Sequence, residues 1–394
     1  MTASSTFASR PPPLTEDDDQ RWWFVLDPAL IVSVVMITAL GAVLVFSATR
    51  GPASRFGPLD YSFLERQIVF AVFGLILAVL VAHVDVRRIR QWLPAAYLGL
   101  IALLGGLLVF GADVRGARAW YTAGGFSFQP SEPGKIILIV VLAAALSVEE
   151  VRTKRLLAAL GLAALPVLLI LRQPDVGTIL VYVVIVAAMI AMSGVRLRYI
   201  AALAVIGILV VVGIFESDLL AEYQEDRLQV FVLDEEALVE LGPEAARAAF
   251  NVDQSQIAIG NGGLFGQGLF EGTQTRSNLV PEQQTDFIFS VAGEELGFRG
   301  AGVLLALYAL MLFRIWRIAV RATDSFDRLL TIGVMAMFLF QVFQSAGMTM
   351  GMMPVTGIPL PLVSYGGSSM LASMVALGLV MGVYRRRFDF AERS

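Results

Sequence analysis

The chain has 394 residues, 57% of them hydrophobic and only 16% charged, with a mean hydropathy of +0.73 and a formal net charge of −4. Soluble domains carry about 25% charged residues, so this is the composition of a polytopic all-α membrane protein, with length for about ten spans of roughly 20 residues. Without cysteine it has no disulfides, thiolate metal sites or thiol nucleophiles; no alternating segments recur as a membrane β-barrel requires; and the acidic balance offers no footprint for nucleic acid.

Residues 1–28 form a polar tail containing Pro11-Pro12-Pro13 and Glu16-Asp17-Asp18-Asp19. It lacks the apolar core of a cleaved signal peptide, and is expected to be a disordered tail ending in an interfacial Trp22-Trp23 anchor. Apolar runs then follow at about Ala29–Ser47, Ile68–Val84, Leu93–Phe110, Ile136–Leu146, Leu156–Leu171, Thr178–Met192, Ile200–Phe215, Phe287–Phe313, Leu329–Gln344 and Met370–Tyr384. The fourth and sixth are short or interrupted. The expected organisation is seven spans within 29–215, a polar insert at 216–286, three spans within 287–384 and a tail at 385–394. The single histidine, His83, ends the second run and reads as an interfacial residue, because one imidazole does not build the usual metal site.

One alternating set of short loops and the C-terminal tail carry 16 Lys and Arg residues, from Arg87, Arg88 and Arg90 to Arg385, Arg386 and Arg387, whereas the opposite set carries 6. By the positive-inside rule both termini are cytoplasmic and the insert faces outward. The insert, Glu216 to Asp286, holds 14 acidic residues against Arg227, Arg247 and Arg276. Bulk charge would repel a phosphate-bearing ligand, so individual arginines or a bound divalent cation would have to offset it. Leu233–Leu241 and Pro243–Phe250 read as short amphipathic helices on the membrane surface.

Polar groups near the membrane carry the chemistry. Gln129-Pro130-Ser131-Glu132-Pro133-Gly134-Lys135 opens the fourth span, with Ser131 able to cap a helix on which Glu132 and Lys135 share a face. A charge pair there is either a tie between helices or a site facing water. Gln173-Pro174-Asp175-Val176-Gly177-Thr178 lies on the same outer side, as a capped turn or as Asp175 facing a cavity. Pro354–Pro361 and Ser364–Ser369 form a rigid loop and a glycine- and serine-rich entry into the last span, suited to close helix packing or to an approach to an anion. Gly260–Gly268 reads as an irregular loop folding back onto a site; it lacks the Gly-Lys-Ser/Thr ending of a phosphate-binding P-loop. Asp286 stands at the water–membrane boundary before Phe287-Ile288-Phe289, with Glu294 and Glu295 beyond. Partial burial there would suit a carboxylate to accept a proton, which makes Asp286 the best general-base candidate.

Taken together, Gln129–Lys135, Gln173–Thr178, Ile257–Gly268, Pro281–Gly297 and Pro354–Ser369 resemble, in order, the motifs of the SEDS family of shape, elongation, division and sporulation proteins. Gly272-Thr273-Gln274-Thr275 looks more like the elongation branch than the division branch. The resemblance implies a plasma-membrane peptidoglycan glycosyltransferase that polymerises lipid II, working with a class B penicillin-binding protein as transpeptidase. It assigns Asp286 as the catalytic carboxylate and Glu132 and Lys135 as the family's charged pair. The chain departs from the family in Gln284, where relatives often carry histidine, in Gln256, where lysine is frequent, in Asp253, which replaces an apolar residue, and in the extra sequence Asp234–Ala249.

Glycosyl transfer from a diphosphate donor needs a base, stabilisation of oxocarbenium-like charge and neutralisation of the leaving pyrophosphate. Asp286 would supply the first. Arg118 and Arg227, with Arg115, Lys135 or a divalent cation (Mg or Mn), would meet the pyrophosphate, while Asp175 and Ser364 complete the expected substrate-binding set. Undecaprenyl chains would lie between spans. The rival reading is a flippase for a lipid-linked precursor, whose polar path would lie near the midplane.

Overall fold

A computed structural model describes residues 26–50, 61–86, 88–114, 117–124, 126–148, 151–203, 205, 207 and 243–391. The expected tail with Trp22-Trp23, Arg115, Arg227, the helix Leu233–Leu241 and most of the span Ile200–Phe215 lie outside the described residues.

Helix α1 spans Pro28–Thr49, with proline in its first turn and the Asp27 carboxylate accepting from Leu30 N at 3.0 Å. The helices that follow are α2 Ser62–His83, α3 Leu93–Phe110, α4 Ser131–Leu146, α5 Thr153–Leu171 and α6 Val176–Met192. After the insert come α7 Pro243–Gly262, α8 Thr273–Arg276, α9 Ile288–Val320, α10 Ser325–Thr349 and α11 Gly367–Ala391. Among the described residues seven helices are long and apolar enough to cross a membrane, and α6 is a shorter apolar one.

Helix α10 is mostly buried and packs against α4, α6, α9 and α11, whereas α2 turns Val69, Val72 and Phe73 outward. Lipid-facing apolar residues give helices no hydrophobic reason to associate, so close contact rests on small residues. The α2–α11 pair follows this rule: a side chain on Gly378 would come within 2.5 Å of Ala78 O, and Gly382 faces Ala82 one turn along.

The two ends of the bundle differ in their bonds. At one end Arg314 grips the buried Asp27 carboxylate through two nitrogens, and Arg386 Nη2 pairs with Asp327 Oδ1 at 2.7 Å. There too Arg385 Nη2 donates to His83 O (3.3 Å), Arg90 Nη2 to Ala144 O (2.8 Å), and Tyr199 meets Thr153. At the other end lie the contacts Ser47–Glu295, Gln283–Ala48, Gln129–Asp175 and Ser255–Thr349. Tyr199 and α7 therefore occupy opposite ends of the bundle.

Three features correct the sequence reading. First, the α3–α4 connection folds as a small antiparallel sheet, β1 Ala112–Val114, β2 Ala117–Ala123 and β3 Phe126–Phe128, in the order β1-β2-β3. Ala123 pairs with Phe126 across two residues, Gly124 having φ 57°, as tight hairpins require. Tyr121 Oη donates to Leu103 O at 2.9 Å, and burial pushes this phenol above its ordinary value, so it stays a donor. Second, Pro243–Phe250, expected as a short helix, is only the start of the 20-residue α7, which packs on α9 at Gly293 through Ile259 and on α10 through Ser255. Third, the eighth span is broken. Gly297, at φ 66° and ψ −171°, separates Ile288–Leu296 from Phe298–Val320.

A break frees backbone groups that need partners at membrane depth. The glycine-rich segment supplies them: Gln267 N and Gly268 N donate to Glu294 O (2.9 Å) and Glu295 O (3.1 Å), while Phe298 N and Arg299 N donate to Gly263 O (2.9 Å) and Leu264 O (3.2 Å). Gly260–Gly262 closes α7, so what was expected to be an irregular loop is one third helix, the rest forming the splint.

Candidate active site

Asp286 sits in a turn, Pro281–Phe287, that feeds α9. The N–H groups of Thr285, Asp286 and Phe287 converge on Glu282 O at 3.0, 3.1 and 3.4 Å. Asp286 is half-buried, while Phe287 and Phe289 are each 3% exposed. Phe287 packs with Ala258, Val280, Met348 and Val355, anchoring the turn on α7 and α10. The carboxylate stands just before the first turn of α9, where unpaired N–H groups favour negative charge.

The loop before α11 clasps this turn. Ser364 Oγ accepts from Leu360 N (2.8 Å) and donates to Thr285 O (2.5 Å), and Tyr365 N donates to Gln284 O (2.9 Å). Below, Gln67 Nε2 reaches Val363 O and Ser364 O at 3.4 Å, and Tyr308 Oη bonds Pro361 O. Ser364, expected to bind substrate, is buried and directs its hydroxyl to holding the Asp286 turn.

The same loop reaches α4. Gln129 N donates to Ser368 Oγ (3.1 Å), and Gln129 Nε2 donates to Asp175 Oδ2 (3.1 Å). Asp175 also caps α6, accepting from Thr178 N (3.0 Å) and Thr178 Oγ1 (2.7 Å), which is the capped turn of the two expected alternatives. One turn into α4, Lys135 Nζ and Glu132 Oε1 form a 2.8 Å ion pair, both residues buried. Ser131 makes no capping bond; Pro130 occupies that position, and the Ser131 carbonyl instead accepts from Tyr182 Oη at 3.0 Å. Close approach depends on glycine here as well, since a side chain on Gly177 would meet Thr356 O at 2.5 Å.

The Asp286 turn is thus held directly by the loop before α11, Asp175 is linked through Gln129 to Ser368 in the first turn of α11, and the Glu132–Lys135 pair follows Gln129 on α4 at the same end of the bundle. Arg118 is exposed on β2, whose neighbour β3 approaches Ser368 through Ser127 O at 3.5 Å. Gln256 Nε2 donates to Met350 O at 3.3 Å. The sequence reading missed Gln129, Ser368 and Gln283 as linking residues, although all three lie in motifs it singled out. Among the described residues no three His, Asp or Glu converge as a metal cage. Mg²⁺ is usually held by one or two carboxylates together with ligand phosphates, so the described residues fit an ion that arrives with a phosphate-bearing ligand.

At the same end an apolar cavity of about 220 Å³ opens between α9 and α10, lined by Leu305, Leu339, Phe343, Gly347 and Met350. The arrangement therefore combines a half-buried carboxylate, a buried cation–anion pair, an exposed arginine on a short sheet and an apolar groove.

Known proteins share this design. Residues 28–388 match the family model FtsW/RodA/SpoVE, described as cell cycle proteins. The peptidoglycan glycosyltransferase MrdB of Escherichia coli (strain K12) is 35% identical over 364 residues, covering 92% of this chain and 94% of that protein. A probable peptidoglycan glycosyltransferase FtsW of Trichlorobacter lovleyi is also 35% identical over 364 residues, covering 91% and 92%. Among solved structures, a chain from work on the structural coordination of polymerization and crosslinking by a peptidoglycan synthase complex matches with a TM-score of 0.76 at 33% identity, over 92% of this chain and 98% of that one. The rod shape determining protein RodA of Thermus thermophilus matches with a TM-score of 0.67 at 32% identity, over 93% and 99%. The fold, the ordered motifs and these matches lead to one conclusion: the chain belongs to the FtsW/RodA/SpoVE family of SEDS membrane proteins.

Proposed function

We propose that this protein is a peptidoglycan glycosyltransferase of cell elongation that polymerises lipid II with Asp286 as general base. The observation that carries the reading is the half-buried Asp286, held from the α10–α11 loop at the same end of the bundle as the buried Glu132–Lys135 pair, in a chain whose relatives are named for this activity.

In the reaction Asp286 accepts the proton of the GlcNAc 4-hydroxyl of one lipid II. The oxygen attacks the MurNAc anomeric carbon of a second, and the bond to the pyrophosphate oxygen breaks with inversion, the electron pair leaving on undecaprenyl pyrophosphate. The leaving group departs as an anion, so a second carboxylic acid is not required. Arg118 and Arg227, with Arg115 or Lys135, neutralise it, and a divalent cation (Mg or Mn) held by carboxylates of the acidic insert would supply further positive charge. Asp175 and Ser364 support the site by holding Gln129 and the Asp286 turn. The apolar cavity between α9 and α10 suits a polyprenyl chain.

The protein is placed by this reading in the bacterial plasma membrane with both termini cytoplasmic, on the strength of the loop charge asymmetry. Its partner is a class B penicillin-binding protein, a reading supported by the similarity to a chain from a peptidoglycan synthase complex.

The test is polymerisation of labelled lipid II by purified protein, with and without the transpeptidase and a chelator. Asp286→Asn is expected to lower the rate by at least about 100-fold, within the range of a lost general base. Undiminished polymerisation by that variant overturns the assignment, and lipid translocation without polymer overturns the enzyme reading itself. A rate lost to chelation and restored by Mg²⁺ or Mn²⁺ supports the ion.

A further inference from the structure

We infer that Glu294, buried in the broken part of α9, is a positioning residue for Asp286, acting through α8 and Gln283; the inference rests on the catalytic reading above. Glu294 is fully buried in a membrane protein, and its carboxylate accepts four hydrogen bonds. Oε1 takes Thr273 Oγ1 (3.2 Å) and Gln274 N (2.7 Å); Oε2 takes Thr275 N (2.9 Å) and Thr275 Oγ1 (2.7 Å). All four donors belong to α8, whose approach is permitted by Gly272, where a side chain would come within 2.6 Å of Glu294 Oε2.

From α8 the connection runs to the turn. Thr275 O accepts from Gln283 Nε2 at 3.0 Å, and the same nitrogen lies 2.7 Å from Ala48 O and 2.8 Å from Asn278 Oδ1. Gln283, Gln284 and Thr285 are then held by three different contacts: Gln283 by α8 and α1, Gln284 by Tyr365 N, and Thr285 by Ser364 Oγ. Asp286 is the next residue. Two of those contacts come from the α10–α11 loop, and the third ends at Glu294. The other side of the broken helix is tied to α1 by Ser47 Oγ on Glu295 Oε1, at 2.5 Å. Both flanks of Ile288–Leu296 are therefore fastened to the last turn of α1.

A carboxylate is required at position 294 because all four partners are donors. An amide in either orientation would set its NH₂ group against a backbone N–H, leaving a buried donor without an acceptor. The expected consequence is a displaced turn. Since a misplacement of about 1 Å can cost on the order of 100-fold in rate, Glu294→Gln should reduce turnover without touching substrate.

The test compares Glu294→Gln, Thr275→Val, Gln283→Ala and the pair Glu294→Gln with Gln283→Ala, against Asp286→Asn, in the lipid II assay. Glu294→Gln and Gln283→Ala are expected to lower kcat by about 10- to 100-fold with KM within twofold. The double variant should be no slower than the worse single one, because both act on one connection. Thr275→Val keeps the side-chain shape, removes one of the four bonds and should show a smaller fall in kcat, which preserves the test if Glu294→Gln does not fold. Glu271→Gln, which breaks only an exposed ion pair with Arg276, serves as control and should remain within twofold. An unchanged kcat in Glu294→Gln or Thr275→Val, a rise in KM instead, or multiplying effects in the double variant overturns the inference. If Asp286→Asn is inactive while Glu294→Gln is normal, only the positioning role falls. If Asp286→Asn polymerises normally, the catalytic reading falls first.

Discussion

Asp286 and Lys135 illustrate two ways in which a charged residue persists in an apolar chain. Asp286 stays half-buried at the rim, while Lys135 is 2% exposed and neutralised by Glu132, 4% exposed. Removing one member of a buried pair strands the other charge, at a cost of roughly 3–5 kcal/mol, whereas removing both can be nearly neutral. Lys135→Met is therefore expected to lower thermal stability in detergent markedly, and Glu132→Gln combined with Lys135→Met to recover most of it. If the pair serves only to tie the helix, the double variant regains polymerisation with stability; if it serves the pyrophosphate, activity stays low in a stable protein. These residues were legible from sequence because charge near hydrocarbon is expensive and therefore conspicuous. Ser364 and Ser131 were legible as positions but not as roles, since a hydroxyl's partner depends on which carbonyl the fold brings near.

At the scale of elements, the broken α9 differs most from what periodicity suggests. Glu294, Glu295 and Arg299 stand on either side of Gly297, but the apolar residues around them keep the average hydropathy high, so the eighth span read as continuous. Only the arrival of Gly263–Gly268 makes the break affordable, by meeting the freed backbone groups. A side chain on Gly297 would lie 2.2 Å from Gly266 N, at φ 66°. Gly297→Ala should consequently destabilise the protein by more than the about 1–3 kcal/mol of backbone strain alone, and should reduce polymerisation by disturbing the splint. Gly302→Ala, on the same helix with nothing within 4 Å, is the control and should leave melting temperature and activity close to wild type. The β1–β3 sheet escaped notice for a related reason. Its strands are of only three to seven residues, too short for alternation to stand out, although Gly124-Gly125 between Thr122-Ala123 and Phe126-Ser127 carries a recognisable hairpin signal.

For the whole molecule, the proposed orientation rests on the asymmetry of 16 Lys and Arg residues in one set of short loops and the C-terminal tail against 6 in the other. The charged contacts Arg314–Asp27 and Arg386–Asp327 mark one end, and the Asp286 turn marks the other. Because the chain contains no cysteine, single cysteines report topology directly. A cysteine replacing the exposed Asp253 on α7 should react with an impermeant thiol reagent in intact cells. One replacing Leu197, 78% exposed near Tyr199, should react only after permeabilisation. The reverse pattern would invert the orientation and move Asp286 to the wrong side of the membrane for an outward-facing polymerase.

Composition and local order determined the membrane class, the approximate spans and the motifs from Gln129 to Ser369, because hydropathy and helix signals act over a few neighbouring residues. Only the tertiary structure decided that α9 is broken, that the glycine-rich segment repairs it, and that Thr285 meets Ser364 while Ser47 meets Glu295, across 79 and 248 residues of chain. Such pairings satisfy buried polar groups whose partners are chosen by packing in three dimensions, and no window along the sequence contains both halves of the bond.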